Sequence, residues 1–459
     1  MSPYDEKKRN LIEKTVAFHT LGCKVNAYES DSMAESLKKA GMTVVPFTDK
    51  ADVYVINTCS VTNIADRKSR QMISRARKMN PEALVVAAGC YTQLMADRGE
   101  LDKVDADLIL GSSDKHRIAE LIGSWYEDRS RPDVRRIAEE KEYCPLVLSR
   151  PSEHTRVYLK VQDGCDQFCS YCIIPYGRGR TRSRSKEAVL EEAAILAENG
   201  VREFVLTGIH LSSYGLDRED GGTSYNEYIR NHEVQEPLIG LIEDLHALPG
   251  VERLRLGSLE PRLMTEAFVS HLSKLPKLCP QFHLSLQSGC DETLKRMNRH
   301  YTTADFLESA RMIRKFFALP ALTTDVIAGF PGETEEEFEQ TKAFLKTAGF
   351  YELHVFPYSR RKGTAADLMK DQVPPEIKKI RTDELLKLSD EFREAFESRL
   401  DGKTVEVLTE RQEEIGGSLV YTGYTKEYVR TAVYGDVSEN EIVNGVFTKC
   451  SEVNRVDVV

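Results

Sequence analysis

The first part of the chain alternates strand-like apolar runs with amphipathic segments of helical period. The runs are TVAFHTL, DVYVIN, ALVVAAG and DLILG, and segments such as NAYESDSMAESLKKAG and DRKSRQMISRARKMNP separate them. A repeated strand–helix order is typical of a parallel sheet with helices on both faces. We therefore predict a doubly wound parallel-sheet domain over residues 14–126.

The middle of the chain repeats the strand–helix order six times. The strands are RVYLKVQ, EFVLTG, RLRLGSL, FHLSLQS, LTTDVIAG and ELHVFPYS. Six right-handed βα units close part of a barrel, whose ligands bind at the C-terminal ends of the strands. We predict a partial (β/α)6 TIM-like barrel with a long C-terminal helix over residues 151–396, preceded by a charged linker over 127–150.

The last part of the chain has short alternating runs broken by glycine and asparagine, such as TVEVLT, SLVYTGYT and YVRTAVYG. This pattern is typical of a small all-β barrel or sandwich. We predict such a domain over residues 397–459, so that the overall fold class is α/β with a small all-β domain at the C-terminal end.

Composition excludes several classes of protein. The 459 residues include 63 Lys and Arg against 73 Asp and Glu, a net charge of −10, so only local basic patches could hold nucleic acid. The apolar runs are much shorter than the ~20 residues of a membrane helix, and the start, MSPYDEKKRN, has no apolar signal core. Ten cysteines in this length do not make a disulfide scaffold. We expect a cytoplasmic protein without membrane contact, whose cysteines are free thiols or metal ligands.

Three cysteines lie close together directly after the first strand of the predicted barrel. Cys165, Cys169 and Cys172 form C-x3-C-x2-C within VQDGCDQFCSYC. Structural zinc takes four ligands, yet the next cysteine is distant Cys279 and the loop has no histidine. Three thiolates suit a [4Fe-4S] cluster that leaves one iron open for a small molecule, and structural zinc is the alternative.

This motif, with the aromatic Tyr171 before its last cysteine, resembles that of the radical S-adenosylmethionine (SAM) enzymes. The resemblance implies that SAM binds the open iron and is cleaved by one electron to a 5′-deoxyadenosyl radical. It also implies a SAM pocket formed by the strand-end segments LTG, SLEP, SLQSG and DVIAGFPGE, for each of which an ordinary turn is the alternative. The candidate SAM-binding residues are Tyr171, Gly208, Glu260, Ser285, Gln287, Arg299, Asp325 and Gly329.

Three further cysteines are distant in sequence but equivalent in position. Cys23, Cys59 and Cys90 each come close to the C-terminal end of a predicted strand, in HTLGC, INTCS and AAGC. Because these ends open onto one edge of a parallel sheet, the three thiols should converge, again without a fourth cysteine. The alternative is three buried cysteines that act as small hydrophobic residues. Three matches at equivalent positions favour a second cluster.

Two three-cysteine sites followed by a small β domain resemble the methylthiotransferases, from about Lys14 to the C-terminus. The resemblance implies an N-terminal methylthiotransferase domain, a radical-SAM barrel and an OB-like domain of the TRAM type. It implies that all six cysteines are catalytic cluster ligands and that a methylthio group replaces hydrogen on carbon. Two SAM molecules would serve each turnover, one as methyl donor and one as radical source, and the N-terminal cluster would carry the sulfur.

Within this family, TLGCKVNAYESD resembles the group that acts on threonylcarbamoyladenosine in tRNA, just 3′ of the anticodon. The implied product is 2-methylthio-threonylcarbamoyladenosine. A group acting on isopentenyladenosine tRNA, which tends to have Gln and Met in place of Lys24 and Val25, and one acting on a ribosomal-protein aspartate are alternatives. An RNA-binding protein with structural metal sites is an alternative of another class, and the missing fourth ligands argue against it.

Two basic clusters indicate a phosphate-rich substrate, although a solvated helix face or pairing with barrel carboxylates would also explain them. The implied partners are a tRNA anticodon stem-loop, an electron donor such as a flavodoxin or ferredoxin, and a sulfur donor. The candidate RNA-binding residues are Arg67, Arg70 and Arg75 on a predicted helix, and Arg178, Arg180, Arg182 and Arg184 after the C-x3-C-x2-C motif.

Overall fold

The computed structural model describes residues 11–150, 155–218 and 222–459. Within these ranges, five parallel strands in the order β2-β1-β3-β4-β5 form the N-terminal sheet. The strands are β1 (Thr15–Thr20), β2 (Thr43–Val45), β3 (Val53–Thr58), β4 (Leu84–Gly89) and β5 (Leu108–Leu110). The helices are α1 (Lys24–Lys39), α2 (Asn63–Met79), α3 (Cys90–Asp97) and α4 (Ile118–Asp128).

Helices cover both faces of this sheet, because successive residues of a strand point to opposite sides. Val53 and Val55 pack in one apolar core with α1 and α4, whereas Tyr54 and Ile56 pack in the other with α2 and α3. The predicted doubly wound parallel-sheet domain is thus confirmed.

Six parallel strands form the described part of the central barrel. They make two sheets, β10-β9-β6 and β11-β12-β13, and single bridges from Leu254 to Leu278 and from Leu259 to Leu284 join the two sheets. The described strands β6 and β13 are not paired, so the barrel is partial, as predicted. The strands are β6 (Arg156–Lys160), β7 (Gln162–Asp163), β8 (Arg182–Ser183), β9 (Glu203–Thr207), β10 (Arg253–Leu256), β11 (Gln281–His283), β12 (Ala321–Ala328) and β13 (Glu352–Pro357), of which β7 and β8 form a separate antiparallel pair.

The barrel strands bury apolar residues outward and polar residues inward. Leu159 and Phe204 pack against the surrounding helices, whereas Lys160, Glu203 and Arg255 are buried in ion pairs on the opposite side of their strands. No helix in the described residues is long and apolar enough to cross a bilayer. The helices are α5 (Ile174–Arg178), α6 (Lys186–Glu198), α7 (Tyr225–Asn231), α8 (Glu236–Ala247), α9 (Glu266–Ser273), α10 (Asp291–Arg296), α11 (Thr303–Phe316), α12 (Glu335–Ala348) and α13 (Pro375–Ser398).

The C-terminal domain is a closed barrel with the strand order β14-β15-β16-β18-β17. It docks onto the central barrel through Arg253, which donates to the carbonyl oxygens of Glu406 and Tyr424, and through Arg255, which donates to that of Lys426. The predicted small all-β domain is confirmed. The strands are β14 (Thr404–Ile415), β15 (Ser418–Thr425), β16 (Arg430–Tyr434), β17 (Ile442–Thr448) and β18 (Asn454–Val458).

A buried charge cluster joins the N-terminal domain to the central barrel. Glu29 of α1 accepts hydrogen bonds from Lys160 Nζ at 2.7 Å and from Arg178 Nη1 at 2.8 Å, and it pairs with Lys115. Asp163 pairs with the same Lys160 and Arg178, at 2.7 and 3.1 Å. Burial alone would raise the pKa of Glu29, but Arg178, Lys115 and Lys160 hold it well below its usual value. We call these five residues the Glu29 cluster.

Removing Glu29 should destabilise the protein strongly. The Glu29→Ala variant leaves three cations buried with only Asp163 to balance them, which should lower the free energy of unfolding by about 3–5 kcal/mol. Chemical denaturation of the purified protein measures this change. Asp383→Ala breaks the exposed Lys379–Asp383 pair on α13 and should cost less than about 1 kcal/mol. Equal stability of the two variants would contradict a structural role for the cluster.

Candidate active site between two cysteine triads

Cys165, Cys169 and Cys172 lie in the loop between β7 and α5, and we call them the barrel triad. The loop starts at Gly164, whose φ is +72°; a Cβ atom there would lie 1.9 Å from the carbonyl oxygen of Arg180, so only glycine fits. The backbone N–H of Cys165 then donates to the carbonyl of Gly179 at 3.1 Å. The two ends of the loop therefore hold the three cysteines within one compact turn.

The barrel triad lines a cavity of about 130 Å³. Arg299 Nη1 donates to Cys169 Sγ at 3.2 Å, and the backbone N–H of Gln167 donates to Cys165 Sγ at 3.5 Å. Hydrogen bonds to sulfur are a common way of tuning iron–sulfur clusters. The cavity thus offers three cysteine sulfurs, two of which accept hydrogen bonds, and its described lining has no fourth cysteine. This set of ligands fits a [4Fe-4S] cluster with one open iron.

Cys23, Cys59 and Cys90 follow the C-terminal ends of β1, β3 and β4, and we call them the sheet triad. A Cβ atom at Gly22 would lie 2.9 Å from both Cβ and Sγ of Cys59, so the loop before Cys23 packs directly on Cys59. Gly89, with φ +106°, lets the end of β4 approach the carbonyl oxygen of Thr58 in the same way. The structure thus brings the three cysteines to one sheet edge, as the sequence predicts.

Most of these thiols are held in the neutral form by their surroundings. Burial, followed by the neighbouring Cys90, raises the pKa of Cys59 to about 12. Burial, followed by the charge of Cys169, raises the pKa of Cys172 to about 12 as well. Since metals bind thiolate, loading either site must release protons.

The two triads face one another across the junction of the N-terminal domain and the barrel. Gly177 of α5 packs on Cys90: a Cβ atom at this glycine would lie 3.7 Å from Cys90 Cβ and 3.6 Å from its carbonyl oxygen. Ser112 Oγ donates to the carbonyl of Gly177 at 2.8 Å, and Cys90 is close enough to Cys172 for its charge to act on that thiol. The N-terminal domain and the barrel therefore meet directly between the two triads.

Three arginines predicted to bind RNA are buried, which corrects that prediction. Arg178 belongs to the Glu29 cluster, and Arg182 donates to the carbonyl oxygen of Arg178. Arg184 pairs with Glu192 and donates to the carbonyl oxygen of Ala188. Their cations are used inside the protein, so they do not face a phosphate. Arg180 differs, since its side chain is 66% exposed and pairs with Asp166 on the surface.

Five of the six basic residues of α2 are exposed, whereas Arg77 is half-buried and pairs with Asp107 at 2.8 Å. Arg70, Arg75 and Lys78 line a shallow surface groove, and Arg67 and Lys68 are exposed one turn earlier on the same helix. The helix begins just after Cys59, and its first turn docks onto the barrel through the Arg361–Asp66 ion pair at 2.6 Å. The exposed basic face of α2 therefore begins beside the sheet triad.

Five of the eight candidate SAM-binding residues line the cavity at the barrel triad, and three do not. The five are Tyr171, Glu260, Ser285, Gln287 and Arg299. Gly208 is instead packed on Gln162, whose Oε1 would lie 2.8 Å from a Cβ atom there, and Gly329, with φ +71°, makes room for Lys378. Asp325 lies between two histidines of the neighbouring strands, His283 and His354.

The cavity also has lining residues that the sequence analysis did not identify: Gln167, Ile174, Ile209, His210, Ser258 and Leu259. Ile209 and His210 directly follow the LTG segment, so the strand-end rule could have found them. Burial, assisted by Arg299, lowers the pKa of His210 to about 3, so this imidazole is neutral near pH 7.

Comparisons with known proteins define the class of this chain. A family model described as "Uncharacterized protein family UPF0004" matches residues 15–111, and the Radical SAM superfamily model matches residues 159–345. A solved radical SAM methyltransferase from Kitasatospora setae, TsrM, has the same fold with a TM-score of 0.51 and 14% identity, over 75% of this chain and 73% of that one. The central barrel therefore has the fold of radical SAM enzymes.

Relatives define its family. The threonylcarbamoyladenosine tRNA methylthiotransferase MtaB of Bacillus subtilis is 39% identical over 92% of this chain and 90% of its own length. The MtaB protein of Aquifex aeolicus is 38% identical over 86% and 92%. A tRNA-2-methylthio-N(6)-dimethylallyladenosine synthase of Caldicellulosiruptor saccharolyticus is 32% identical over 97% and 88%. This chain belongs to the radical SAM methylthiotransferase family, whose cofactors are SAM and [4Fe-4S] clusters.

Proposed function

We propose that this enzyme methylthiolates carbon 2 of threonylcarbamoyladenosine beside the anticodon of tRNA, giving 2-methylthio-threonylcarbamoyladenosine. The observation that carries this proposal is the opposition of two three-cysteine sites, each without a fourth cysteine ligand among the described residues around it. The MtaB relatives at 34–39% identity support the choice of base over the dimethylallyladenosine synthases at 32–33%. Methylthiolation of isopentenyladenosine in tRNA is the alternative that the product assay below addresses, and methylthiolation of a ribosomal-protein aspartate is a further alternative.

The barrel triad is proposed to hold one [4Fe-4S] cluster with SAM, and the sheet triad the second cluster. When bound, these groups supply the radical that removes hydrogen and the methylthio group that replaces it. The chain itself positions them. Among the described residues that line the cavity, Glu260 provides the one carboxylate, and it suits the ammonium and sulfonium charges of SAM. Tyr225 Oη and Arg262 Nε donate to its two oxygens at 2.8 and 2.7 Å, which fixes its orientation.

Arg299 has the role of a positioning cation at the barrel triad. It donates to Cys169 Sγ, to the carbonyl oxygen of Ser285 at 3.0 Å and to Tyr301 Oη at 2.9 Å. Burial alone would lower the pKa of Arg299, but Tyr301 and Cys169 hold it well above its usual value. The guanidinium therefore stays charged and rigid beside the anionic cluster ligands.

The exposed basic face of α2 is the proposed tRNA contact. Arg180, which is exposed apart from this face, is proposed as a second contact. Clustered cations that no buried acid neutralises attract phosphates, and α2 leads from solvent to the sheet triad. A flavodoxin or ferredoxin as electron donor, a separate sulfur donor and a cytoplasmic location remain part of the proposal. None of the ten cysteines forms a disulfide, which fits a reducing compartment.

The two triads should separate two chemical steps. The reconstituted wild type should hold about eight irons per chain, and changing Cys23, Cys59 and Cys90 to Ala should remove about half of them. That variant should still cleave SAM to 5′-deoxyadenosine while making no methylthio product, whereas Cys169→Ala should lose both activities. Mass spectrometry of an anticodon stem-loop with threonylcarbamoyladenosine, and of one with dimethylallyladenosine, identifies the product.

Two results would contradict this assignment. Equal SAM cleavage by both variants would mean that the roles of the triads are wrong. A wild type that modifies the dimethylallyladenosine RNA and leaves the threonylcarbamoyladenosine RNA unchanged would favour the alternative substrate.

Neutralising the α2 face should weaken tRNA binding. The double variant Arg70→Gln/Arg75→Gln should reduce the slope of log K against log salt by roughly two contacts, since each phosphate contact releases counterions. Filter binding across a salt series measures the slope. Arg311→Gln/Lys315→Gln on α11 is the matched control, because it removes two exposed cations from the barrel helices. An unchanged slope in the α2 variant would place the RNA on another surface.

A further inference from the structure

Lys24 is a cation without a carboxylate partner among the described residues. It follows Cys23 of the sheet triad and is the first residue of α1. The ion pairs and hydrogen bonds of the described chain do not include its ammonium group, and the residue is exposed. An accessible cation beside a proposed cluster ligand is available to a bound molecule.

Lys24, at the start of α1 in the N-terminal domain, faces charged residues of the central barrel. Its ammonium group interacts electrostatically with Arg156 of β6, Glu203 of β9, Arg255 of β10 and Asp325 of β12. It also acts on His354 of β13. Charged residues on five of the six barrel strands therefore lie within electrostatic range of Lys24.

The other charged residues near Lys24 are already paired with one another. Asp325 lies between His283 Nε2 at 3.3 Å and His354 Nδ1 at 3.5 Å, and the two imidazole rings stack with centroids 5.2 Å apart. Arg156 and Arg255 share Glu203, at 2.9 and 3.1 Å. Lys24 is therefore the cation of this group that is left for a ligand.

The two kinds of relative act on adenine bases whose N6 substituents differ in charge. The names of the relatives give one base with a threonylcarbamoyl group on N6 and another with a dimethylallyl group. The threonylcarbamoyl group ends in a carboxylate, whereas the dimethylallyl group is a hydrocarbon. Carbon 2 and carbon 6 of adenine flank the same ring nitrogen, so a base with carbon 2 at the triads also brings its N6 substituent close to them.

We propose that Lys24 is a specificity determinant that binds the carboxylate of the threonylcarbamoyl group. The inference rests on the proposed function, since it assumes that this base enters between the triads. Ammonium and carboxylate form a charge-assisted hydrogen bond, and the same contact cannot form with a hydrocarbon substituent. Lys24 thus strengthens the binding of the base that carries the carboxylate, and it takes no part in the chemistry. A tRNA phosphate is the other anion that could meet this cation, and the experiment separates the two.

The test is a cycle that changes the protein and the ligand in turn. Fluorescence anisotropy measures the affinity of cluster-loaded wild type, Lys24→Gln and Lys24→Arg for three anticodon stem-loops. One carries threonylcarbamoyladenosine, one carries its methyl ester and one carries plain adenosine. The wild type should bind the acid about tenfold more tightly than the ester, because one charge-assisted contact is lost. Lys24→Gln should bind acid and ester equally, and Lys24→Arg should keep most of the preference.

Each other outcome would overturn the inference. An equal loss of affinity for all three RNAs in Lys24→Gln would assign Lys24 to a phosphate. A retained preference for the acid would place the carboxylate elsewhere. The comparison of acid and ester in the wild type needs no variant, so a folding or iron-loading defect next to Cys23 does not affect it. Product formation by the wild type on the acid RNA is measured separately. If no product forms, the proposed function is contradicted. If product forms but Lys24→Gln keeps the preference for the acid, only the role of Lys24 is contradicted.

Discussion

The buried charge cluster around Glu29 fixes the two cysteine triads relative to one another. Glu29 and Lys115 come from the N-terminal domain, and Lys160, Asp163 and Arg178 come from the barrel. Such a cluster is stable only in one arrangement, because moving either domain would leave a charge buried without its partner. The cysteines are attached to the same elements: Cys23 directly precedes the helix of Glu29, and Cys172 precedes the helix of Arg178.

This constraint also shapes the electrostatics of the sheet triad. Burial raises the pKa of Cys90, while Arg178 and Lys115 act in the opposite direction. The same cations that join the domains therefore stabilise negative charge on a proposed cluster ligand. Arg299 plays the corresponding part at the barrel triad through its hydrogen bond to Cys169. Each site thus has a permanently placed cation, supplied by the barrel, on the side where anionic sulfur must be held.

The sequence alone was sufficient for features that depend on local pattern. Cys23, Cys59 and Cys90 could be brought together because the ends of parallel strands share an edge, and the six barrel strands lie where alternation places them. Within FHLSLQS only Phe282 and His283 belong to β11, and Gln287, with a φ of +75°, departs from the extended backbone. Spacing could not distinguish Arg178 from a surface arginine, because its partner Glu29 is 149 residues away in the chain. Spacing could not show the surroundings of Asp325 for a similar reason: its histidine partners come from neighbouring strands.

The central claim is that one chain with two opposed triads converts threonylcarbamoyladenosine in tRNA to its 2-methylthio derivative. Nucleoside mass spectrometry of total tRNA tests it most directly, in a strain without this gene and in the same strain supplied with it. The account predicts that 2-methylthio-threonylcarbamoyladenosine is absent from the first strain, with threonylcarbamoyladenosine in its place, and returns in the second. Unchanged 2-methylthio-threonylcarbamoyladenosine in both strains, with a change in another methylthio nucleoside or in none, would contradict it.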